Sequence, residues 1–117
     1  MSEHRVSDYV GHIRQAALDA CSFVAGQSKE SFLTDKRTQS AVVMCLVIIG
    51  EAATKIMDRH PQFVERHAAV PWRSMRGMRH RIAHGYFEID FEIVWETAQS
   101  ALPELLAILS AIDEAKD

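Results

Sequence analysis

The chain has 117 residues, 48% hydrophobic and 25% charged, with sixteen acids against thirteen lysines and arginines and a net charge of −3. That size supports one hydrophobic core and one domain over residues 1–117 without disulfides or metal, and the apolar content is too high for a disordered chain. A mildly acidic balance also excludes a general polyanion binder, so any cationic patch has to be local and specific.

The opening MSEHRVSDYV is polar and has no apolar stretch of secretory type, which predicts a cytoplasmic protein. A first helix is expected from about Val6 to Ala25, with Ser7 as N-cap. Within it Val10, Ile13, Ala17, Cys21 and Val24 recur every three or four residues. Gly26 suits its C-terminal stop. GQSKESFLTD then reads as a polar connector, with Phe32 and Leu33 turned back onto the core. A second helix opens at Asp35 or Thr38 and runs to about Arg59. Its middle, AVVMCLVII from Ala41 to Ile49, is apolar on every side, which predicts a central helix covered all round. The run is about half of the roughly 20 residues that cross a bilayer, so no membrane association is expected. Glu51 is the odd residue, a carboxylate just after the most apolar run. Cys21 and Cys45 sit among apolar neighbours and read as buried free thiols, which suits a reducing compartment.

His60-Pro61 breaks the second helix, and Gln62 to Ala69 reads as one short turn. Pro71 fits the first turn of a third helix, which carries Trp72, Met75, Met78 and Ile82 on one side and stops at Gly85. Asp90 caps a fourth, with Val94, Trp95, Ala98, Leu102, Leu105, Leu109 and Ile112 as its stripe. Pro103 should interrupt that helix at about Gln99. No strand is expected. Four amphipathic helices with mostly short connections predict an all-α, antiparallel up-and-down bundle of four to five helices.

Charge is unevenly placed. Between Glu65 and Glu88 there is no acid, yet Arg66, Arg73, Arg76, Arg79 and Arg81 lie there with His67, His80 and His84. The densest part, Met78 to Tyr86, closes the third helix. Three explanations compete for it. His80 and His84 are four apart, like the histidines of an HExxH zinc helix. However, Arg81 stands where that motif needs a glutamate base, and arginines repel a metal cation. No metal or other cofactor is therefore expected. Cations in a last helical turn also meet the partial negative charge of the helix end, worth about 0.3–1 kcal/mol each. That accounts for one of them, whereas five arginines on consecutive turns repel one another.

The third explanation is chemistry on phosphate. A guanidinium forks onto phosphoryl oxygens and an imidazole moves protons near neutral pH, which suffices to cleave RNA through its 2′-hydroxyl without metal. Arg79 and His84 would carry that chemistry, and Arg73, Arg76 and Arg81 would hold the RNA backbone. Arg79 and His84 are five apart, about 140° around an ideal helix. They meet at one phosphate if the helix loosens near Gly85, or if two copies of the motif face each other across a two-fold axis, as a homodimer.

Arg79-His-Arg-Ile-Ala-His84 has the form R-x4-H, and Gly85-Tyr86 extends it to R-x4-H-x-Y. Around it stand IIGEAATKI (Ile48 to Ile56), the Val70-Pro-Trp72 helix entry, GMRHRIAHGYFEID and VWETAQSALPELL (Val94 to Leu106). Together, over nearly the whole chain, they resemble the HEPN superfamily of small helical RNases and, within it, the HepT branch. The resemblance implies the toxin of a toxin–antitoxin module, a metal-independent endoribonuclease acting on cytoplasmic RNA as a homodimer. It implies an antitoxin partner of the minimal nucleotidyltransferase (MNT) type, which transfers AMP from ATP onto the motif tyrosine, here Tyr86. It assigns Arg79 and His84 to catalysis and leaves His80 as a second proton carrier. Glu51 either orients Arg79 or His84 or forms an ion pair that the fold needs. The residues alone also fit a non-catalytic module that binds nucleotide or RNA beside a nucleotidyltransferase.

Overall fold

A computed structural model describes residues 5–116, with side chains as far as Ile112. In chain order the helices are α1 (Val6–Val24), α2 (Lys29–Leu33), α3 (Lys36–Arg59), α4 (Pro61–Arg66), α5 (Trp72–His84), α6 (Phe91–Glu96) and α7 (Leu102–Lys116). A 3-10 turn, Tyr86–Glu88, follows α5, and a π-helical turn, Thr97–Ala101, joins α6 to α7 into one long run. Among the described residues there is no strand. The architecture is the all-α bundle expected: α1, α3, α5 and the α6–α7 run form its walls. The short α2 and α4 lie in the connections that the sequence gives as connector and turn. α3 packs between α1 and α5, and α1 also meets the last run. Ile13, Phe32, Val42, Ile56 and Leu109 are fully buried at their junction.

Local chemistry explains the boundaries. Helix α1 starts at Val6, so Ser7 lies inside its first turn rather than at the cap; the Asp8 carboxylate accepts the Arg5 N–H at 3.0 Å instead. Gly26 ends the turn after α1 with φ of +79°, a conformation that residues with a side chain rarely adopt. At the head of α3, Asp35 accepts the Thr38 N–H at 3.1 Å, the Thr38 hydroxyl at 2.7 Å and the Gln27 amide at 3.1 Å. These donors, the Thr38 hydroxyl foremost, hold the Asp35 carboxyl below its ordinary range. Phe32 turns inward as expected and packs on Trp95, with ring centroids 5.4 Å apart. Pro103 has no N–H to offer the Gln99 carbonyl, and the helix widens into its π turn at that place. The Cys21 thiol donates to the Ala98 carbonyl in this turn at 3.9 Å. Cys45 is buried and Cys21 half-buried, both free. Burial pushes both thiols up, with Asp19 adding to the effect at Cys45, so neither is an activated nucleophile.

Against the expectation for the second predicted helix, α3 is not covered all round: Met44 is 58% and Ile48 40% exposed. α1 and α5 flank the helix on two sides and leave an apolar stripe between them. By length and composition alone α3 could cross a bilayer, but half of its most apolar window is buried in the bundle, as in a core helix.

Candidate active site

The site is built on α5. Trp72, Met75 and Ile82 are buried, and the Trp72 indole N–H donates to the His67 carbonyl at 3.0 Å, fixing the helix entry. With that face committed to the core, the other side chains of α5 have set directions. Arg79 faces α3, where Gly50 lets the two helices approach. A Cβ on Gly50 would collide with the Arg79 Cβ and lie 2.7 Å from the Met75 carbonyl oxygen. Arg79 therefore lies over Gly50 and reaches the next residue: its Nη2 is 3.0 Å from the Glu51 Oε1. Of the two partners open to Glu51, the structure pairs it with Arg79. Glu51 Oε2 is also 3.8 Å from the Lys55 ammonium. Because the Arg79 and Glu51 side chains are 39% and 45% exposed, the pair is worth only about 0–1 kcal/mol of stability. Its effect is to aim the guanidinium.

His84 goes elsewhere. α5 stays α-helical through His84, so the loosening near Gly85 that would bring it to Arg79 does not occur. Gly85 instead caps the helix, its N–H donating to the Arg81 carbonyl at 2.8 Å. The His84 and His80 rings lie one turn apart, with centroids 4.3 Å apart and planes tilted by 43°. Both line a cleft of about 430 Å3 together with Arg81, and the segment after α5 closes it with Glu88, Ile89 and Ile93. Arg79 does not line this cleft. A single chain thus joins Arg79 to Glu51, and His84 to His80 and Arg81, without joining the two sets.

The remaining arginines divide in the same way. Arg76 Nη1 is 3.8 Å from Asp58, whereas among the described residues the Arg81 side chain meets only the Met78 sulfur, at 3.9 Å. Among the described residues neither Arg73 nor Arg81, both exposed, has an acidic partner. Tyr86 opens the 3-10 turn and is 67% exposed, touching the Phe87 ring edge-on at 5.5 Å. Its hydroxyl is therefore accessible to a modifying enzyme or a ligand, unlike that of a tyrosine packed in the bundle. Phe87 is 97% exposed, on the open side of the turn with Tyr86, and nothing in the helical periodicity singles it out. The available signal was a second aromatic residue directly past the helix stop. Glu88 carries no periodic signal either, standing in the sequence as the end of the acid-free stretch. No group of three histidine, cysteine or acidic side chains among the described residues lies where it could hold a metal ion.

Comparison with known proteins identifies the family. The family described as Ribonuclease HepT-like matches residues 13–112. The chain is 38% identical to "Probable ribonuclease HepT" of Thermococcus cleftensis over 98 residues, 84% of this chain and 86% of that protein. It is 38% identical to "Putative RNase TTE0752" of Caldanaerobacter subterraneus over 97 residues, 83% of this chain and 84% of that protein. It is 33% identical to "Putative RNase MJ1216" of Methanocaldococcus jannaschii over 106 residues, 90% and 84% of the two chains. No solved structure matches. The matched span takes in the α3–α5 contact, the histidine cleft and the Tyr86 turn, and the chain belongs to the ribonuclease HepT-like family.

Proposed function

We propose that the chain is a metal-independent endoribonuclease and the toxin of a toxin–antitoxin pair, cutting cytoplasmic RNA as a homodimer. One observation carries the reading: α5 offers a guanidinium aimed by Glu51 and, on another face, a pair of imidazoles in a cleft. A second copy is what would complete the site. Met44 and Ile48 share a helix face with Glu51 and Lys55, so the uncovered apolar stripe of α3 leads directly to the Arg79 pair. A groove of about 790 Å3, lined by Val47, Ile48, Glu51 and Lys55 among others, continues it. Two chains joined along this face would form two composite catalytic clefts between their α5 helices, each taking Arg79 from one chain and His84 from the other.

In that cleft an imidazole takes the proton of the ribose 2′-hydroxyl, and the 2′ oxygen bonds to phosphorus. The bond from phosphorus to the 5′ oxygen breaks, and an imidazolium returns a proton to the leaving 5′ oxygen. The products are a 2′,3′-cyclic phosphate and a 5′-hydroxyl. His84 is assigned to proton transfer, with His80 beside it as a second carrier, and Arg79 stabilises the charge of the phosphorane. Arg73, Arg76 and Arg81 hold the RNA backbone. Regulation is assigned to Tyr86. Its hydroxyl attacks the α-phosphorus of ATP on a partner nucleotidyltransferase of MNT type, pyrophosphate leaves, and the phenolic proton passes to the partner or to water. An adenylate there sets an anion two residues from His84 and competes with RNA for the cations.

A second reading, a non-catalytic module that binds nucleotide or RNA, is favoured by the separation of Arg79 from the histidine cleft in one chain. Incubating the purified protein with RNA in EDTA decides between them. Cutting that persists in EDTA and disappears on 2′-deoxy substitution at the scissile nucleotide supports the nuclease; binding without cutting supports the module. Intact-mass measurement after incubation with the partner enzyme and ATP tests the switch. No AMP added, or an addition that survives Tyr86→Phe, removes the role of Tyr86.

A further inference from the structure

The histidine cleft contains a group that RNA cleavage does not use. Glu88 lines it, and among the described residues its carboxylate has no hydrogen bond or ion pair. The other carboxylate of the cleft is already occupied: Asp90 Oδ1 accepts the Glu92 N–H at 3.0 Å and the Ile93 N–H at 3.4 Å as the cap of α6. Glu88 is held in place by the 3-10 turn, where its N–H donates to the Gly85 carbonyl at 2.8 Å, one residue past His84. The cleft also has an aliphatic lining, from Ile82, Ile89 and Ile93. An acid beside a phosphate-binding cluster disfavours a polyanion, so its presence needs a ligand that offers hydrogen-bond donors. The cleft's size, about 430 Å3, falls in the range of small-molecule sites, roughly 300–1,000 Å3.

The geometry points to a guanine-reading subsite: Glu88 accepts from the Watson–Crick edge of an unpaired guanine while Arg81 and the imidazoles meet the adjoining phosphate. This rests on the nuclease reading for its place in the reaction. An ionised carboxylate only accepts hydrogen bonds, through two oxygens side by side. Guanine presents two donors side by side, N1–H and the 2-amino group, and matches it twofold. Adenine and cytosine each set one amino group beside a ring-nitrogen acceptor, which the second carboxylate oxygen repels. Uracil has one N–H between two carbonyls, and both repel it. The aliphatic lining takes the base faces. Since the edge being read is the pairing edge, the guanine must be single-stranded.

Two measurements on the full chain test this. In NMR titrations, 5′-GMP should shift the amide signals of Gly85 to Ile89 and bind roughly tenfold or more tighter than 5′-AMP, 5′-CMP or 5′-UMP. Glu88→Gln, on an exposed side chain, should abolish that preference without altering the fold. In cleavage of a mixed-sequence RNA mapped to single nucleotides, cuts should fall beside unpaired guanines, and in Glu88→Gln they should lose that bias. Equal affinity for the four nucleotides overturns the subsite, as does a guanine preference that survives Glu88→Gln. If the wild-type protein cuts no RNA at all, the nuclease reading falls, and the GMP titration alone still decides the subsite.

Discussion

Arg79 combines a fixed position with a charge that does not titrate, and each property predicts a different mutant. Arg79→Ala should lower cleavage by about 10²–10³-fold, as expected when a donor to a transition-state oxyanion is removed. Arg79→Lys should recover little, because an ammonium keeps the charge but not the planar fork. His84→Ala should cost about 10²–10⁴-fold through loss of proton transfer. Both side chains face partly or wholly outward, so thermal melts should change little in any of these variants. A collapse of the melt along with the activity would make the residues structural. At this scale the sequence was informative about identity and angle: the five-residue spacing already sets Arg79 and His84 well apart around the helix. It could not say which acid meets Arg79. That depends on Gly50 allowing close approach, a property of the α3–α5 packing and not of either segment alone.

Helix ends and contacts carry the next predictions. Gly50→Ala should destabilise the protein by about 1–3 kcal/mol through overpacking against Arg79 and the Met75 carbonyl, outweighing the gain of up to about 1 kcal/mol from alanine's helix propensity. Urea denaturation measures the cost. Activity should fall further than stability, since the collision is with the site's own arginine. The Asp35 cap predicts a pH effect. Its folded pKa lies below the ordinary value of 3.8, so its stabilising contribution is complete above that value and is lost as pH falls through the lower folded one. Melting temperatures of wild type and Asp35→Asn should therefore differ at neutral pH and converge on acidification below about pH 4; parallel curves would remove the effect. Periodicity and punctuation made the long helices readable, together with Gly26, Asp90 and the interruption before Pro103. It missed α2 and α4 because five or six residues are too few to show a period. The α1 cap is misplaced because the helix begins one residue before Ser7: Arg5 stands at the N-cap, and Asp8, at the third helical position, accepts its N–H.

At the scale of the whole molecule, the chain has an exposed apolar stripe, and its Arg79–Glu51 pair and its histidine cleft do not meet within one chain. The apolar run from Ala41 to Ile49 made burial on all sides the natural inference from sequence, because periodicity cannot tell a neighbour within the chain from one outside it. Met44 and Ile48 show the difference, lying in a bundle that leaves them uncovered. If a second copy covers them, Met44→Asp with Ile48→Asp should turn a dimer into a monomer by light scattering while keeping helical content, since neither side chain belongs to the chain's own buried core. Cleavage should then fall by orders of magnitude although Arg79, His80 and His84 are untouched. Mixing an Arg79→Ala chain with a His84→Ala chain sharpens the test. If each cleft draws its arginine from one protomer and its histidine from the other, half of the composite clefts in a mixed dimer are intact, and activity reappears on mixing. If each chain works alone, or through its own two residues only, the mixture stays dead. A mixture without activity, together with a monomeric aspartate variant that still cuts RNA, would move the site into the single chain and leave the α3 stripe with no part in the chemistry.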